Sequence, residues 1–226
     1  MDSNTITKWQ KVFIKKMFSV ILSVIMCIGM LTGCTGSGGN SANNTETTAG
    51  DTIQYLSGKV NIEIQVASYG TIEATLDADV APITVTNFVN LAKSGFYDGL
   101  TFHRIISGFM IQGGDPKHNG TGGADTKIKG EFAKNGVENT ISHKRGTISM
   151  ARSSSYDSAS SQFFIMHEDR TNLDGQYAAF GTVTSGMDVV DAICNSVKPV
   201  DDNGTVPYEK QPVITTIKVL DCYNKI

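Results

Sequence analysis

Apolar and polar residues alternate along much of the chain, which is the pattern of strands with one buried face. The alternation runs over 62–66 and again over 72–76. Ser68, Tyr69 and Gly70 lie between the two runs and supply turn residues. The two runs therefore predict a hairpin. Further short strands are predicted at 102–106, 109–112, 147–151, 162–166, 178–183 and 213–220.

Two segments change to helical spacing. Pro82 suits a first helical position, and apolar residues follow at intervals of three and four from Val85 to Ala92. Gly95 marks the end of this helix, and 187–194 has the pattern of a second short helix. Many short strands with two interspersed helices, and no regular strand–helix–strand alternation, indicate one antiparallel barrel domain.

The first 52 residues follow neither pattern. Four lysines lie within residues 1–16, and the next fifteen residues, 17–31, carry no charge. This succession of a basic and an apolar segment is typical of a secretory signal. The apolar segment is shorter than the roughly 20 residues that span a membrane as a helix. Its end, Leu31-Thr32-Gly33-Cys34, resembles a bacterial lipobox, whose cysteine is acylated and becomes the first residue of the mature chain.

Residues 35–51 are low in complexity and nearly free of apolar side chains, which predicts a flexible tether. Lipid on Cys34 would hold the protein at the outer face of a membrane by its acyl chains. The alternative is an ordinary buried cysteine after an apolar segment. We predict a lipoprotein signal peptide at 1–33, a tether at 34–52 and a folded domain at 53–226, anchored through Cys34 at the extracytoplasmic face of the bacterial cell membrane.

Charge and missing motifs exclude several classes of function. The chain has a net charge of -3, and removing residues 1–33, which carry +3, leaves -6. Nucleic-acid phosphates require a basic surface, so we expect no nucleic-acid partner. No nucleotide-binding Gly-Lys-Ser/Thr motif, no Gly-x-Ser-x-Gly motif and no Cys or His pair at metal-ligand spacing occurs. We therefore expect no metal and no cofactor, and we expect the four histidines in loops or at the surface.

Cys194 and Cys222 leave two alternatives open. In an exported protein they could form one disulfide, or both could remain buried thiols. They lie on different predicted elements, so the sequence does not decide whether the two side chains meet. A monomer is the default expectation for the oligomeric state.

One long motif and several short ones follow each other in a characteristic order. The long motif is FHRIISGFMIQGGD at 102–115. The shorter ones are GTGG at 120–123, ISMAR at 148–152, SQFF at 161–164, LDG at 173–175 and FG at 180–181. Together they resemble the cyclophilin-type peptidyl-prolyl isomerases over roughly 62–223. The resemblance implies a mainly β fold, a closed antiparallel eight-stranded β-barrel with two flanking helices. It also implies an enzyme activity, the acceleration of rotation about the peptide bond before proline.

The reaction explains why an arginine is useful. Rotation about an X–Pro bond crosses a barrier of about 18–20 kcal/mol. At the top of the barrier the amide is twisted, and the proline nitrogen regains a lone pair that can accept a hydrogen bond. A donor aimed at that nitrogen binds the transition state more tightly than the ground state, which is what catalysis requires. Arg104 matches the family's catalytic arginine, and its rigid, charged guanidinium suits this role.

The resemblance also assigns the other site residues. Gln112 matches the glutamine that hydrogen-bonds the substrate and braces the arginine, and Phe109 completes the predicted catalytic set. Ala151 and Arg152 match the strand edge that pairs with the peptide before the proline. The remaining predicted substrate-binding residues form an apolar and aromatic wall: Met110, Phe164, Leu173 and Tyr177.

The chain departs from many eukaryotic members of the family at the rim of this site. Asn172 occupies the position where they carry tryptophan, and Tyr177 the position where they carry histidine. A serine-rich segment, 153–160, replaces a loop rich in glycine, proline and asparagine. The sequence therefore does not predict which substrate contacts form beside Arg152.

The leading hypothesis is a lipid-anchored isomerase that accelerates the folding of exported, proline-containing polypeptides. The rival hypothesis is a non-catalytic surface module that binds proline peptides in the same groove, although such a module would be free to lose Arg104. A third hypothesis is a cytoplasmic isomerase whose first 33 residues come from a spurious upstream start. Cys34 and the tether argue against the third.

Overall fold

Eight strands form the sheet in the part of the chain that the structure describes. This computed structural model describes residues 54–223, with side chains up to Leu220. Cys34, the predicted signal peptide and the predicted tether lie outside the described residues. The strands are β1 (Lys59–Val66), β2 (Gly70–Asp77), β3 (Phe102–Ile106), β4 (Met110–Gly113), β5 (Thr147–Met150), β6 (Phe163–Met166), β7 (Ala179–Ser185) and β8 (Ile214–Tyr223).

The first two strands form the predicted hairpin. β1 and β2 pair antiparallel along their full length, from Lys59 opposite Asp77 to Val66 opposite Gly70. Alternate residues of both strands are buried, which is the physical origin of the period-two pattern. Ser68 and Gly70 both have positive φ, 65° and 129°, so the residues with turn chemistry make the chain reversal.

All the strands join one antiparallel sheet, in the order β3-β4-β6-β5-β7-β2-β1-β8. The prediction of a closed barrel is wrong, because the edge strands β3 and β8 do not pair with each other and the sheet stays open between them. An isolated bridge of Thr101 with Val213 lies at this opening. The carbonyl of Pro212 accepts a hydrogen bond from the N–H of Phe102 at 2.9 Å. Pro212 has no N–H to return, so a continuous ladder cannot form at this point.

The segment 203–206, which precedes β8 in the chain, covers the open edge of β3. The N–H of Ile105 donates to the carbonyl of Gly204 at 2.8 Å, and the N–H of Val206 donates to the carbonyl of His103 at 3.0 Å. An irregular segment thus satisfies the backbone groups of the edge strand and keeps them from pairing with another chain.

Two helices flank the sheet, as predicted. α1 (Pro82–Lys93) packs on β8, and α2 (Met187–Ser196) packs on β2. The proline of α1 lies in the first turn, where its missing N–H costs no hydrogen bond. α2 follows Gly186, whose φ is 87° and where a Cβ would overlap the carbonyl oxygen of Thr71. No helix within residues 54–223 is long and apolar enough to cross a membrane.

Cys194 lies on the buried face of α2 as a free thiol. Burial, with a smaller contribution from Asp191, raises the pKa of this thiol to about 11. The group is therefore protonated and unreactive at neutral pH. Of the two alternatives for this cysteine, the structure shows the buried thiol. The side chain of Cys222 lies outside the described residues.

Among the described residues, apolar side chains form two separate clusters. The larger one is the core, where the ring of Phe88 lies 5.0 Å from Tyr97, 5.3 Å from Phe163 and 5.2 Å from Phe180. Alternate residues of β4 and β6 enter the core and the smaller cluster, so the two clusters lie on opposite faces of these strands. The buried members of the smaller cluster are Met110, Phe164 and Met166.

We expect Phe88→Ala to lower the free energy of unfolding by about 3–5 kcal/mol, because it leaves a cavity among three rings in a fully buried position. Urea denaturation of the variant measures this loss. Leu220→Ala is the control, since Leu220 is 48% exposed and its truncation should change the free energy of unfolding by less than about 0.5 kcal/mol. Equal effects of the two substitutions would contradict the assignment of the core.

Candidate active site

The nine site residues predicted from the sequence all line one cavity of about 140 Å³. This cavity contains the smaller apolar cluster and therefore lies on the sheet face opposite the core. Its lining consists of Arg104, Phe109, Met110, Gln112, Ala151, Arg152, Phe164, Leu173 and Tyr177.

Strand register explains why residues far apart in the chain meet here. Arg104 on β3 is opposite Gln112 on β4, and Gln112 is opposite Phe164 on β6. Directly opposed residues of neighbouring strands project from the same face of a sheet. The three side chains therefore form a row across three strands. Met110 lies two residues before Gln112 and so shares this face.

Several contacts hold the guanidinium of Arg104 at the edge of the cavity. Nη1 donates to Oε1 of Gln112 at 3.2 Å and lies 3.9 Å from the sulfur of Met110. Nε donates to the carbonyl oxygen of Asn203 at 2.7 Å. The guanidinium carbon lies 5.9 Å from the centre of the Phe109 ring. Because these contacts come from different directions, both the position and the plane of the guanidinium are fixed.

The side chain of Gln112 is itself oriented by Gln162, a residue that the sequence did not assign to the site. Nε2 of Gln112 donates to Oε1 of Gln162 at 2.9 Å. Nε2 of Gln162 donates in turn to the carbonyl oxygens of Gly120 and Gly122, at 3.1 and 2.7 Å. With its amide nitrogen engaged, Gln112 presents its oxygen to Arg104. The loop that contains Gly120 and Gly122 thus fixes the amide of Gln112, which in turn orients Arg104.

Arg104 keeps its full positive charge at the cavity edge. Burial lowers the pKa of the Arg104 guanidinium from its ordinary value, while nearby Tyr177 and Asp201 act in the opposite direction. Arginine stays protonated in proteins, so Arg104 remains a cation at neutral pH. Burial also lowers the pKa of His103, the preceding residue of β3, which adds no second charge at neutral pH.

Asn203 and Gly204 hold the site as well, and neither was predicted to do so. Gly204 has a φ of 83°, and an added Cβ would lie 2.7 Å from the carbonyl oxygen of Ile105 and would overlap the side chain of Ile106. Only glycine lets this turn approach β3 closely enough for the carbonyl of Asn203 to reach Arg104. The Asn-Gly pair is a turn signal in the sequence, but it gives no indication of a partner 99 residues away.

A hydrogen-bonded array, in which His143 and Ser149 are buried, supports the wall of the cavity at Phe164. The ring of His143 stacks on Phe164, with 6.0 Å between centres and 19° between planes. Nδ1 of His143 bonds to Oδ1 of Asp174 at 2.8 Å, and its Nε2 bonds to the hydroxyl of Ser149 at 3.0 Å. Burial lowers the pKa of His143, although Asp174 opposes this. We therefore assign a neutral ring whose Nδ1–H donates to the carboxylate and whose Nε2 accepts from Ser149.

The array contains a serine, a histidine and an aspartate, yet it is not a nucleophilic triad. Ser149 is 0% exposed, so its hydroxyl cannot reach a substrate. The array instead fixes the aromatic wall through the ring of His143. The expectation that all four histidines lie in loops or at the surface is wrong for His103, which is buried on β3, whereas His143 does lie in a loop although it is buried.

Ala151 and Arg152 lie at the rim of the cavity. The N–H of Ala151 donates to the carbonyl of Gln162 at 3.0 Å, so a peptide that pairs with this edge would use the carbonyl group of Ala151. The guanidinium carbon of Arg152 lies 4.7 Å from the centre of the Tyr177 ring. The structure thus brings both predicted residues to the site, and it shows the side chain of Arg152 bound within the protein.

Known proteins resemble this chain in sequence and in fold. The family model described as "Cyclophilin type peptidyl-prolyl cis-trans isomerase/CLD" matches residues 60–223. The chain is 43% identical over 162 residues to peptidyl-prolyl cis-trans isomerase A of Dickeya dadantii (strain 3937), which covers 68% of this chain and 81% of that protein. It is 47% identical over 124 residues to peptidyl-prolyl cis-trans isomerase B of Bacillus subtilis (strain 168), which covers 55% of this chain and 83% of that protein.

A solved structure agrees with the sequence relatives. The cyclophilin-type peptidyl-prolyl cis-trans isomerase of Cryptosporidium parvum, solved in the presence of the dipeptide Ala-Pro, is similar with a TM-score of 0.63 and 29% identity. The match covers 71% of this chain and 99% of that one. The chain therefore belongs to the cyclophilin-type peptidyl-prolyl cis-trans isomerase family.

We expect Gly204→Ala to lower kcat/KM for isomerisation about tenfold, because the displaced turn withdraws the carbonyl of Asn203 from Arg104. A protease-coupled assay with a proline peptide measures the loss. Gly99→Ala is the matched control, since Gly99 has a φ of 80° but no atom within 4 Å of an added Cβ. The control should lose about 1 kcal/mol of stability and keep its activity. Equal activity losses in both variants would contradict the role of this turn.

Proposed function

We propose that this protein catalyses rotation about X–Pro bonds of exported polypeptides at the cavity beside Arg104, while lipid on Cys34 anchors it outside the cytoplasm. One observation carries the catalytic part. A charged guanidinium is fixed by Gln112 and Asn203 at the edge of a cavity that has an apolar and aromatic wall. This is the arrangement that a twisted amide needs, since it joins one strong donor to a surface that receives the proline ring.

The cavity wall holds the ring while the preceding part of the peptide turns. Phe109, Met110, Phe164 and Leu173 offer apolar surface that removes water from the proline. Arg104 is fixed relative to this wall, so a proline seated there keeps its nitrogen near the donor. The planar amide nitrogen is a poor acceptor, and the pyramidal nitrogen of the twisted amide is a good one. The hydrogen bond therefore strengthens as the transition state is approached.

The arginine supplies only part of the acceleration. A charge-assisted hydrogen bond is worth about 1.5–3 kcal/mol, which corresponds to roughly one to two powers of ten in rate. We assign the rest to the cavity, which desolvates the bond and holds the ring in place. Rotation breaks no covalent bond, so the mechanism requires neither a nucleophile nor a proton transfer.

The location outside the cytoplasm is supported by the N-terminal sequence. A basic segment, an apolar segment at 17–31 and a lipobox-like end at Cys34 precede a polar tether. A domain anchored in this way would meet exported polypeptides before they fold, when X–Pro isomerisation limits folding. A monomer would be sufficient for this function, since a single chain supplies the nine residues that line the cavity.

The rival function is a non-catalytic module that binds proline peptides. A binding groove needs the apolar wall, but it gains nothing from a donor held in place by a glutamine, a second glutamine behind it and a glycine-dependent turn. The number of contacts that orient Arg104 therefore favours the isomerase over the binding module.

We expect Arg104→Lys to lower kcat/KM by about one to two powers of ten, because lysine keeps the charge but lacks the planar fork that Gln112 and Asn203 orient. The protease-coupled assay measures the loss, and thermal melting checks the fold. Arg145→Lys is the control, since Arg145 is paired with Asp191 at the surface and does not line the cavity. Unchanged activity of Arg104→Lys would refute the proposed role of the guanidinium, whereas a wild-type protein that binds proline peptides without isomerising them would favour the binding module.

The lipid anchor predicts that a labelled fatty acid is incorporated into the full-length protein in bacterial cells and that Cys34→Ser abolishes the incorporation. Cys194→Ser is the control and should keep the label, since this thiol is buried in the folded domain. Labelling that persists in Cys34→Ser would remove the anchor from the proposal.

A further inference from the structure

The guanidinium of Arg152 lies among three aromatic rings. Its central carbon is 5.1 Å from the ring centre of Phe132, 5.0 Å from that of Tyr156 and 4.7 Å from that of Tyr177. Each distance is within the range in which a cation is attracted by the face of a ring. The rings come from three loops that are separate in the chain, so this one side chain joins them. We call Arg152 and its three rings the arginine clamp.

Hydrogen bonds fix the orientation of the guanidinium in the clamp. Nε and Nη2 both donate to the carbonyl oxygen of Gln176, at 3.1 and 2.9 Å, and Nη1 donates to the carbonyl oxygen of Ser153 at 2.9 Å. All three nitrogens of Arg152 are therefore bonded to the backbone of the protein. A planar group with five N–H donors can make these bonds and still offer its faces to rings, whereas an ammonium group cannot.

The side of the clamp that faces away from the cavity is itself anchored. The rings of Phe132 and Tyr156 meet edge to face, with 5.3 Å between centres. Their approach depends on Gly130, where a Cβ would overlap the Phe132 ring and the carbonyl oxygen of Tyr156. Oδ1 of Asp157 accepts from the N–H of Gly130 at 2.9 Å, which ties the two loops together. Phe132 and Tyr156 are thus fixed in place, so that Arg152, which packs on them, can position the third ring.

That third ring, Tyr177, belongs to the wall of the cavity. It meets Phe164 edge to face at 6.0 Å, and it meets the ring of His143 at 6.5 Å. Leu173, another wall residue, lies on the same loop, and the Gln176 carbonyl that Arg152 holds is adjacent to Tyr177. Arg152 therefore fixes both the backbone and the ring of this part of the wall.

We propose that Arg152 is a positioning residue of the isomerase: through the clamp it sets the place of Tyr177 and Leu173 and so shapes the cavity that receives the proline ring. The inference rests on the proposed function, and it gives the Arg152 side chain a role in addition to the backbone pairing expected of its strand edge. The serine-rich segment 153–160 acquires a role as well, because it supplies Tyr156 to the clamp.

The alternative is that Arg152 contacts the substrate as a cation. In that case its effect would depend on the charge of the peptide and on salt, because an exposed charge interaction is screened. A positioning role predicts neither dependence. It predicts instead that substitution of Arg152 changes KM only in a protein that has Tyr177. These opposite expectations allow a single set of variants to decide between them.

The test is a double-mutant cycle of Arg152→Lys and Tyr177→Leu, with kcat and KM measured on peptides that carry Glu, Ala or Lys before the proline. We expect Arg152→Lys to raise KM about fivefold to tenfold and to change kcat less than about twofold, because the rest of the wall still desolvates the bond, while the displaced part contacts the ring in ground and transition states alike. The factor should be the same for all three peptides. In the Tyr177→Leu background, Arg152→Lys should raise KM by less than about a further twofold.

Further variants distinguish a positioning role of Arg152 from a general loss of stability. Tyr177→Phe keeps the ring and should retain the full response to Arg152→Lys, which a loss of stability alone would not explain. Tyr156→Leu, which removes a 40% exposed ring that does not line the cavity, should raise KM about twofold to threefold by loosening the clamp. Arg145→Lys serves as the matched arginine control and should leave KM unchanged.

Three results would overturn the proposal: multiplicative effects of the two substitutions, an effect that follows peptide charge, or a KM of Arg152→Lys equal to that of the wild type. NMR titration of the same peptides gives dissociation constants without any need for turnover. If the protein bound peptides but failed to isomerise them, the proposed function would fall, and the same cycle in dissociation constants would still decide for or against the clamp.

Discussion

A shift of one residue in the pairing of β3, β4 and β6 would dismantle the active site, because alternate residues of a strand point to opposite faces of a sheet. In the observed register Arg104, Gln112 and Phe164 share one face, while Ile111 and Ile165 enter the core. Burial of the core residues on one face therefore fixes the site residues on the other. The geometry of the cavity therefore inherits the rigidity of the core.

The opening of the sheet between β3 and β8 serves the same geometry. If β8 paired directly with β3, a regular strand would occupy the space beside Arg104. Instead the segment 203–206 satisfies the edge of β3 and turns its Asn203 carbonyl toward the guanidinium. Protection of an exposed edge and orientation of the arginine are thus performed by one turn, and both depend on the close approach that Gly204 permits.

Local patterns were sufficient for the hairpin and the helices, because alternation and the proline at position 82 are short-range signals. The site could be predicted because most of its donors and wall residues lie in continuous motifs such as 102–115. Features that depend on distant contacts could not be predicted. The sheet opening depends on Pro212 against Phe102, and the clamp of Arg152 depends on rings from three loops. The isolated His143 gave no sequence signal that it would be buried behind the wall.

The central claim is that Arg104 acts on the twisted amide rather than on the affinity for the planar one. NMR exchange spectroscopy of a proline peptide with the protein separates the two, since it gives both the dissociation constant and the rate of cis–trans interconversion within the complex. For Arg104→Ala we expect a dissociation constant within about threefold of the wild type and a rate within the complex that is slower by roughly one to two powers of ten. An unchanged rate within the complex, with the whole loss in the dissociation constant, would contradict the claim.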